Sequence, residues 1–165
     1  MQNHFELFQL APQFDIDLVS LDQAFREVQA QVHPDKFVSA SSAEQRVAMQ
    51  WATRANEAYQ TLKNPLKRAT YLCEINGVDV QAESNTAMPA AFLMQQMEWR
   101  EELDESRNDN AALDELERNV AKARKEQLEH IAQQFSQADY HQAAKSIRQL
   151  MFLEKFSEDV ANAQD

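Results

Sequence analysis

His33, Pro34 and Asp35, followed by Lys36 and Phe37, place a titratable ring, a rigid imide and a carboxylate within three residues. An imidazole beside a carboxylate is the raw material of a general base. Such a base acts on something, however, and neither a nucleophile, nor a metal cluster, nor a phosphate-cradling loop accompanies the pair. At a break between two helices, the three side chains are displayed on a loop rather than packed in a core. The plainest reading of the tripeptide alone is a turn that ends a helix, with Asp35 bonding its own backbone.

The surrounding sequence supplies helices on both sides. Proline disfavours helical geometry in the residue before it and has no N–H to donate, so an amphipathic run ending at Val32 stops near His33. Ser20 and Gln23 have the spacing of a capping box, and Leu21, Phe25, Val28 and Val32 recur on one face, which predicts a helix over residues 21–32. Beyond the loop, Ser41 and Glu44 make a second box. Val47, Trp51, Ala55, Ala58, Tyr59 and Leu62 trace the stripe of a longer helix, expected to pack antiparallel to the first. Asn3 caps a short helix holding Phe5, Leu7 and Phe8, with Pro12 and the acidic residues 15–17 as connection. Asn64 and Pro65 open another helix, and Gly77, the only glycine, ends it in the left-handed conformation.

This arrangement resembles a J-domain, the module with which co-chaperones stimulate ATP hydrolysis by DnaK-class chaperones. The resemblance spans roughly residues 3–77 and implies that His33, Pro34 and Asp35 bind the chaperone. Many J-domains carry a strongly basic second helix. Here the polar side of residues 21–32 offers Asp22, Gln23, Arg26, Glu27, Gln29 and Gln31, with a single cation, so Arg26 and Lys36 are the only electrostatic contacts assigned.

Residues 78–88 read as a linker, and three further helices are expected over about 89–105, 111–135 and 140–160. The second aligns Leu113, Leu116, Val120, Ala123, Ile131 and Phe135, and the third Ala143, Ile147, Leu150, Leu153 and Val160, which together predict an antiparallel three-helix bundle. The first carries two stripes. Phe92, Gln96, Trp99 and Leu103 lie on one side, and Leu93, Met94, Met97, Glu98, Glu101 and Glu105 on the other. The aromatic stripe has the larger apolar area and no charge, so it is expected in the core, leaving the leucine and methionines at the surface beside a row of glutamates. That row reads either as a binding face or as packing and solvated charge. Phe152 points away from the core stripe of the last helix, an exposed ring without a partner or one that fills a seam.

Phe92-Leu93-Met94, then Arg100-Glu101-Glu102-Leu103-Asp104-Glu105, together with Asn64-Pro65, Arg68-Ala69, Tyr71-Leu72 and Phe152-Leu153-Glu154-Lys155, is similar to the HscB-type co-chaperones of iron–sulfur cluster biogenesis. The match covers nearly the whole chain. It implies an all-α fold: a J-domain at 1–77 built on a helical hairpin with its His-Pro-Asp loop, a linker at 78–88, and a scaffold-binding three-helix domain at 89–165. It further implies that Leu93, Met94, Met97, Glu98, Glu101, Glu105 and Phe152 bind the iron–sulfur cluster scaffold protein. Met97 stands where leucine is expected, a swap that keeps volume and apolarity. The cysteine-rich zinc extension of some eukaryotic members has no counterpart here, and no cofactor is expected.

Bulk properties agree. One glycine and four prolines in 165 residues favour helices over a turn-rich β fold. A net charge of −11 argues against nucleic acid and anionic membrane as partners and for a basic protein surface. No signal-like N-terminus or spanning run is present, so a cytoplasmic protein is expected. Cys73 stands alone within a helical stripe with Ala69, Leu72 and Ile75, and His4, His33, His130 and His141 have no zinc-like spacing. The competing functions are a J-protein serving another client or dimerising through its C-terminal unit, a hydrolase using His33 and Asp35, and a structural helical protein.

Overall fold

A computed structural model describes residues 2–80 and 88–164. The chain divides into two units, Met1–Ile75 and Asn76–Asp165. Among the described residues the regular structure is helical: α1 (His4–Leu7), α2 (Leu18–Val32), a 3-10 turn (Pro34–Phe37), α3 (Ser42–Lys63), α4 (Pro65–Ile75), α5 (Ala90–Glu105), α6 (Asn110–Ser136) and α7 (Tyr140–Gln164).

Side-chain caps fix where the helices of the first unit begin. Asn3 accepts from the Glu6 N–H at 2.8 Å, Ser41 from Glu44 at 3.2 Å and Asn64 from Lys67 at 3.0 Å, as the sequence leads one to expect. The start of α2 differs. Asp17 is the cap, accepting from the Val19 N–H at 3.0 Å and the Ser20 hydroxyl at 2.9 Å. Ser20 therefore lies inside the helix rather than in front of it. The carboxylate accepts both bonds, one at each oxygen, and these donors lower the Asp17 pKa, the Ser20 hydroxyl most. Gly77 closes α4 at φ +82, the left-handed geometry that suits a residue without Cβ.

α2 and α3 pack as an antiparallel hairpin. Tyr59 stacks on Phe25 with centroids 4.1 Å apart and donates its hydroxyl to Asp22 at 2.6 Å, a bond that raises the Tyr59 pKa. Leu21, Ala55, Ala58 and Leu62 fill the seam, each aliphatic Leu contributing about 1.5–3 kcal/mol of burial. Ala48, not Val47, completes this stripe. Val47 turns to solvent, as does Ile75 on α4, because the core needs only a narrow strip of small residues where helices approach closely. Cys73 is buried. Arg68, unforeseen in the core, donates Nε to the Phe14 carbonyl at 2.7 Å and a terminal nitrogen to the Leu62 carbonyl at 2.6 Å, tying the loop before α2 to the α3–α4 corner. Burial lowers its pKa and Asp15 opposes that shift.

His4 stacks on Tyr71 with centroids 4.3 Å apart, and the Tyr71 hydroxyl accepts from the His4 backbone N–H at 2.9 Å. Burial lowers the ring's pKa from 6.5, Glu57 raising it and Arg54 lowering it. The folded protein thus binds the proton less well than the unfolded chain. The neutral ring's contribution is complete above pH 6.5 and is lost as pH falls from there toward the depressed folded value. Urea midpoints should therefore fall between pH 7.5 and pH 5.5 by more in the natural protein than in His4→Phe; equal shifts would remove His4 as the cause.

In the second unit, α6 and α7 run antiparallel. Arg124 donates to both Glu154 oxygens at 3.0 Å, Gln127 to the Ser146 carbonyl at 2.8 Å, and Gln164 reaches Glu117 at 2.8 Å. α5 lies parallel to α7. Trp99 stacks on Phe156 with centroids 5.7 Å apart, and Arg100 meets Asp159 at 2.8 Å while covering the Phe156 ring. Leu113, Leu116, Val120, Ile131, Ala143, Ile147, Leu150, Leu153 and Val160 are buried as their spacing requires, and Phe156 joins them. The α6–α7 corner turns without glycine: Ala138 sits at φ 55, with Ala138 and Asp139 donating to Phe135 and Gln134 at 2.9 and 3.0 Å. Val78 and Val80, expected in the linker, are buried, and Arg148 donates to the Val80 carbonyl at 3.3 Å. Residues 81–87 of that stretch lie outside the described residues.

Candidate functional site: two docking faces

The hairpin of α2 and α3 presents the His33 turn at its end. His33 has ψ 136, the extended value that the following proline imposes, and the chain then makes one 3-10 turn beginning at Pro34. The cap of this turn is the His33 ring. Its Nδ1 accepts from the Asp35 N–H at 3.2 Å, while its carbonyl accepts from the Lys36 N–H at 3.0 Å. The Asp35 side chain is therefore not the turn's own cap. With Nδ1 turned to the Asp35 N–H, the exposed ring leaves its Nε2 edge free for an outside partner. The Asp35 carboxylate lies 3.6 Å from the same Nδ1.

From α3, the Gln45 amide donates to the Phe37 carbonyl at 2.9 Å and reaches that of Ala40 at 3.5 Å, holding the far end of the loop. Sequence spacing gave no hint of this brace, because a lone glutamine has no pattern. Beside the turn lies an open apolar depression of about 310 Å³ lined by Val32, Phe37, Val47, Ala48 and Trp51. His33, Pro34, Asp35 and Lys36 are exposed, as is Arg26 on α2. Arg26 precedes His33 by seven residues, two helical turns or about 10 Å along the axis, on nearly the same azimuth.

In the second unit, α5 puts its two stripes where the apolar areas require. Trp99 and Leu103 are buried, and Phe92 and Gln96 half-buried. The opposite side is open: Leu93 is 47%, Met94 61% and Met97 65% exposed. Glu98, Glu101 and Glu105 are exposed along the same helix, and none has an ion-pair partner among the described residues. Phe152, 53% exposed, is not without a partner. It meets the edge of Phe92 with centroids 6.4 Å apart at 71°, which brings the α7 ring to the border of the α5 face. Phe92 is adjacent to Leu93 in sequence, so one residue links the buried stripe to the exposed one. Charge is uneven: the second unit holds eighteen Asp and Glu against nine Lys and Arg, the first nine against seven, so nine of the eleven net negative charges lie with α5. No group of three or more His, Cys, Asp or Glu suited to a metal ion occurs among the described residues, and none of their helices is long and apolar enough to cross a membrane.

Residues 88–161 match the family model described as the HSCB C-terminal oligomerisation domain. The co-chaperone protein HscB homolog of Bordetella petrii is 53% identical over 98% of this chain and 96% of its own length. Among solved structures, the chaperone HscB from Vibrio cholerae aligns with a TM-score of 0.87 at 37% identity, covering 99% of this chain and 98% of that one. Human co-chaperone protein HscB aligns with a TM-score of 0.92 at 28% identity, covering 98% and 81%. An all-helical chain with a His-Pro-Asp turn in one unit, an acidic three-helix bundle in the other and relatives of this identity along its whole length belongs to the HscB family, the co-chaperones of iron–sulfur cluster biogenesis.

Proposed function

We propose that this chain is an adaptor without chemistry of its own. Residues 1–77 engage the ATP-bound form of a specialised DnaK-class chaperone through His33, Pro34 and Asp35, with Arg26 and Lys36 adding charge. Residues 89–165 hold the iron–sulfur cluster scaffold protein on Leu93, Met94, Met97, Glu98, Glu101, Glu105 and Phe152, and residues 78–88 join the two. Chaperone hydrolysis of ATP then clamps the scaffold and promotes cluster transfer, in the cytoplasm. The reading is supported by the exposed apolar and acidic face of α5 in a chain whose other unit displays a capped His-Pro-Asp turn.

The test is the steady-state ATPase rate of the specialised chaperone with this protein, with the scaffold, and with both. The expected result is stimulation by the protein and a rate with both that exceeds the two separate increments. Stimulation to which the scaffold adds nothing would assign another client to α5, and absence of stimulation would overturn the J-domain role.

A further inference from the structure

Two of the six methionines, Met94 and Met97, stand 61% and 65% exposed one turn apart on α5, with Leu93 beside them. Outside this face, among the described residues, only Met49 on α3 is comparably open at 70%; Met88 and Met151 are half-buried. Thioethers this accessible are oxidised by peroxide. A sulfur lone pair attacks one peroxide oxygen, the S–O bond forms as O–O breaks, and the departing oxygen leaves as water, with sulfur losing two electrons and the peroxide gaining them.

The product is the opposite of what an apolar anchor needs. A sulfoxide oxygen is a strong acceptor, and the residues flanking it on this face are Leu93, Glu98, Glu101 and Glu105, none of which donates when the glutamates are ionised. Arg100, the nearby cation, is drawn to Asp159 at 2.8 Å and over the Phe156 ring. An oxidised Met94 or Met97 therefore keeps its oxygen hydrated in the free protein, and seating it against an apolar partner group that now receives the thioether strips that water. Both side chains point out of the bundle, so oxidation leaves the core intact.

We propose that Met94 and Met97 form a redox-sensitive switch in the docking face of α5, released from the scaffold by conversion to sulfoxides and restored by thiol-dependent sulfoxide reduction. This rests on the reading of α5 as the scaffold-binding face. The experiment uses the full chain carrying Met49→Leu, treated with hydrogen peroxide until peptide mass spectrometry assigns one oxygen to each of Met94 and Met97, then freed of peroxide before the untreated scaffold is added. Scaffold affinity should fall about tenfold or more, as expected for an unpaired buried polar group. Melting temperature and scaffold-independent ATPase stimulation should stay unchanged, and methionine sulfoxide reductases with a dithiol should restore the affinity. In Met94→Leu/Met97→Leu, whatever its starting affinity, peroxide should change nothing. Mapped sulfoxides at both positions with unchanged affinity would overturn the switch, as would an equal loss in the double-leucine variant. Failure of the untreated protein to bind scaffold would instead overturn the reading of α5, and the switch with it.

Discussion

His33→Gln abolishes stimulation of the chaperone ATPase and leaves scaffold binding at the level of the natural protein. Glutamine keeps an acceptor near the Asp35 N–H, so the turn that His33 Nδ1 now caps at 3.2 Å is not left open. What disappears is the planar ring and its outward Nε2 edge at the centre of the proposed chaperone contact. Central contacts of this kind are worth about 2 kcal/mol or more, roughly thirtyfold in affinity. His33 is exposed, so circular dichroism and melting temperature should match those of the natural protein. Loss of scaffold binding in a well-folded variant would contradict the division of labour between the two units.

Leu93→Ala and Phe152→Ala weaken scaffold binding by about 1–3 kcal/mol each, roughly 5- to 150-fold, if titrated against the scaffold by calorimetry. Leu93 is half exposed on α5, and its truncation removes an anchor without opening a cavity, so melting should be unchanged. Phe152 also gives up its edge contact with Phe92, a pair worth about 0.5–1.5 kcal/mol, so its melting temperature should fall by a few degrees at most. A larger drop would place that ring in the core. Glu101→Gln should cost less than either and lose its effect at high salt, because an exposed carboxylate at a rim is screened. Unchanged affinity in both apolar variants would remove the α5 face from the interface.

The local rules that worked are those that involve near neighbours. Asn3, Ser41 and Asn64 cap the helices they precede, and Gly77 takes a positive φ, because each depends on a few residues of backbone. The start of α2 was misplaced for the same kind of reason. Asp17 and Ser20 both satisfy cap chemistry, and only the hydrogen bonds, Ser20 donating to Asp17, decide which stands outside the helix. Most of the large residues in the α6 and α7 stripes also read correctly, since burying them dominates the energy, but Phe135 is half-buried and the buried Phe156 was missed. Stripe edges did not: Val47 and Ile75 are exposed, whereas Arg68 is buried because two carbonyls satisfy its guanidinium.

The sequence by itself determined the helical class, the position of the His33 turn and the two-sided character of α5, because proline geometry, capping and 3.6-residue periodicity act within a single element. Only the tertiary structure decided that the His33 ring caps its own turn, that Gln45 braces the loop from α3, and that Phe152 comes to the α5 face through Phe92. Each of these joins residues by the choice of rotamer or by packing between helices. Neither is written in a spacing, since the same periodic stripe is compatible with several rotations of one helix against the next.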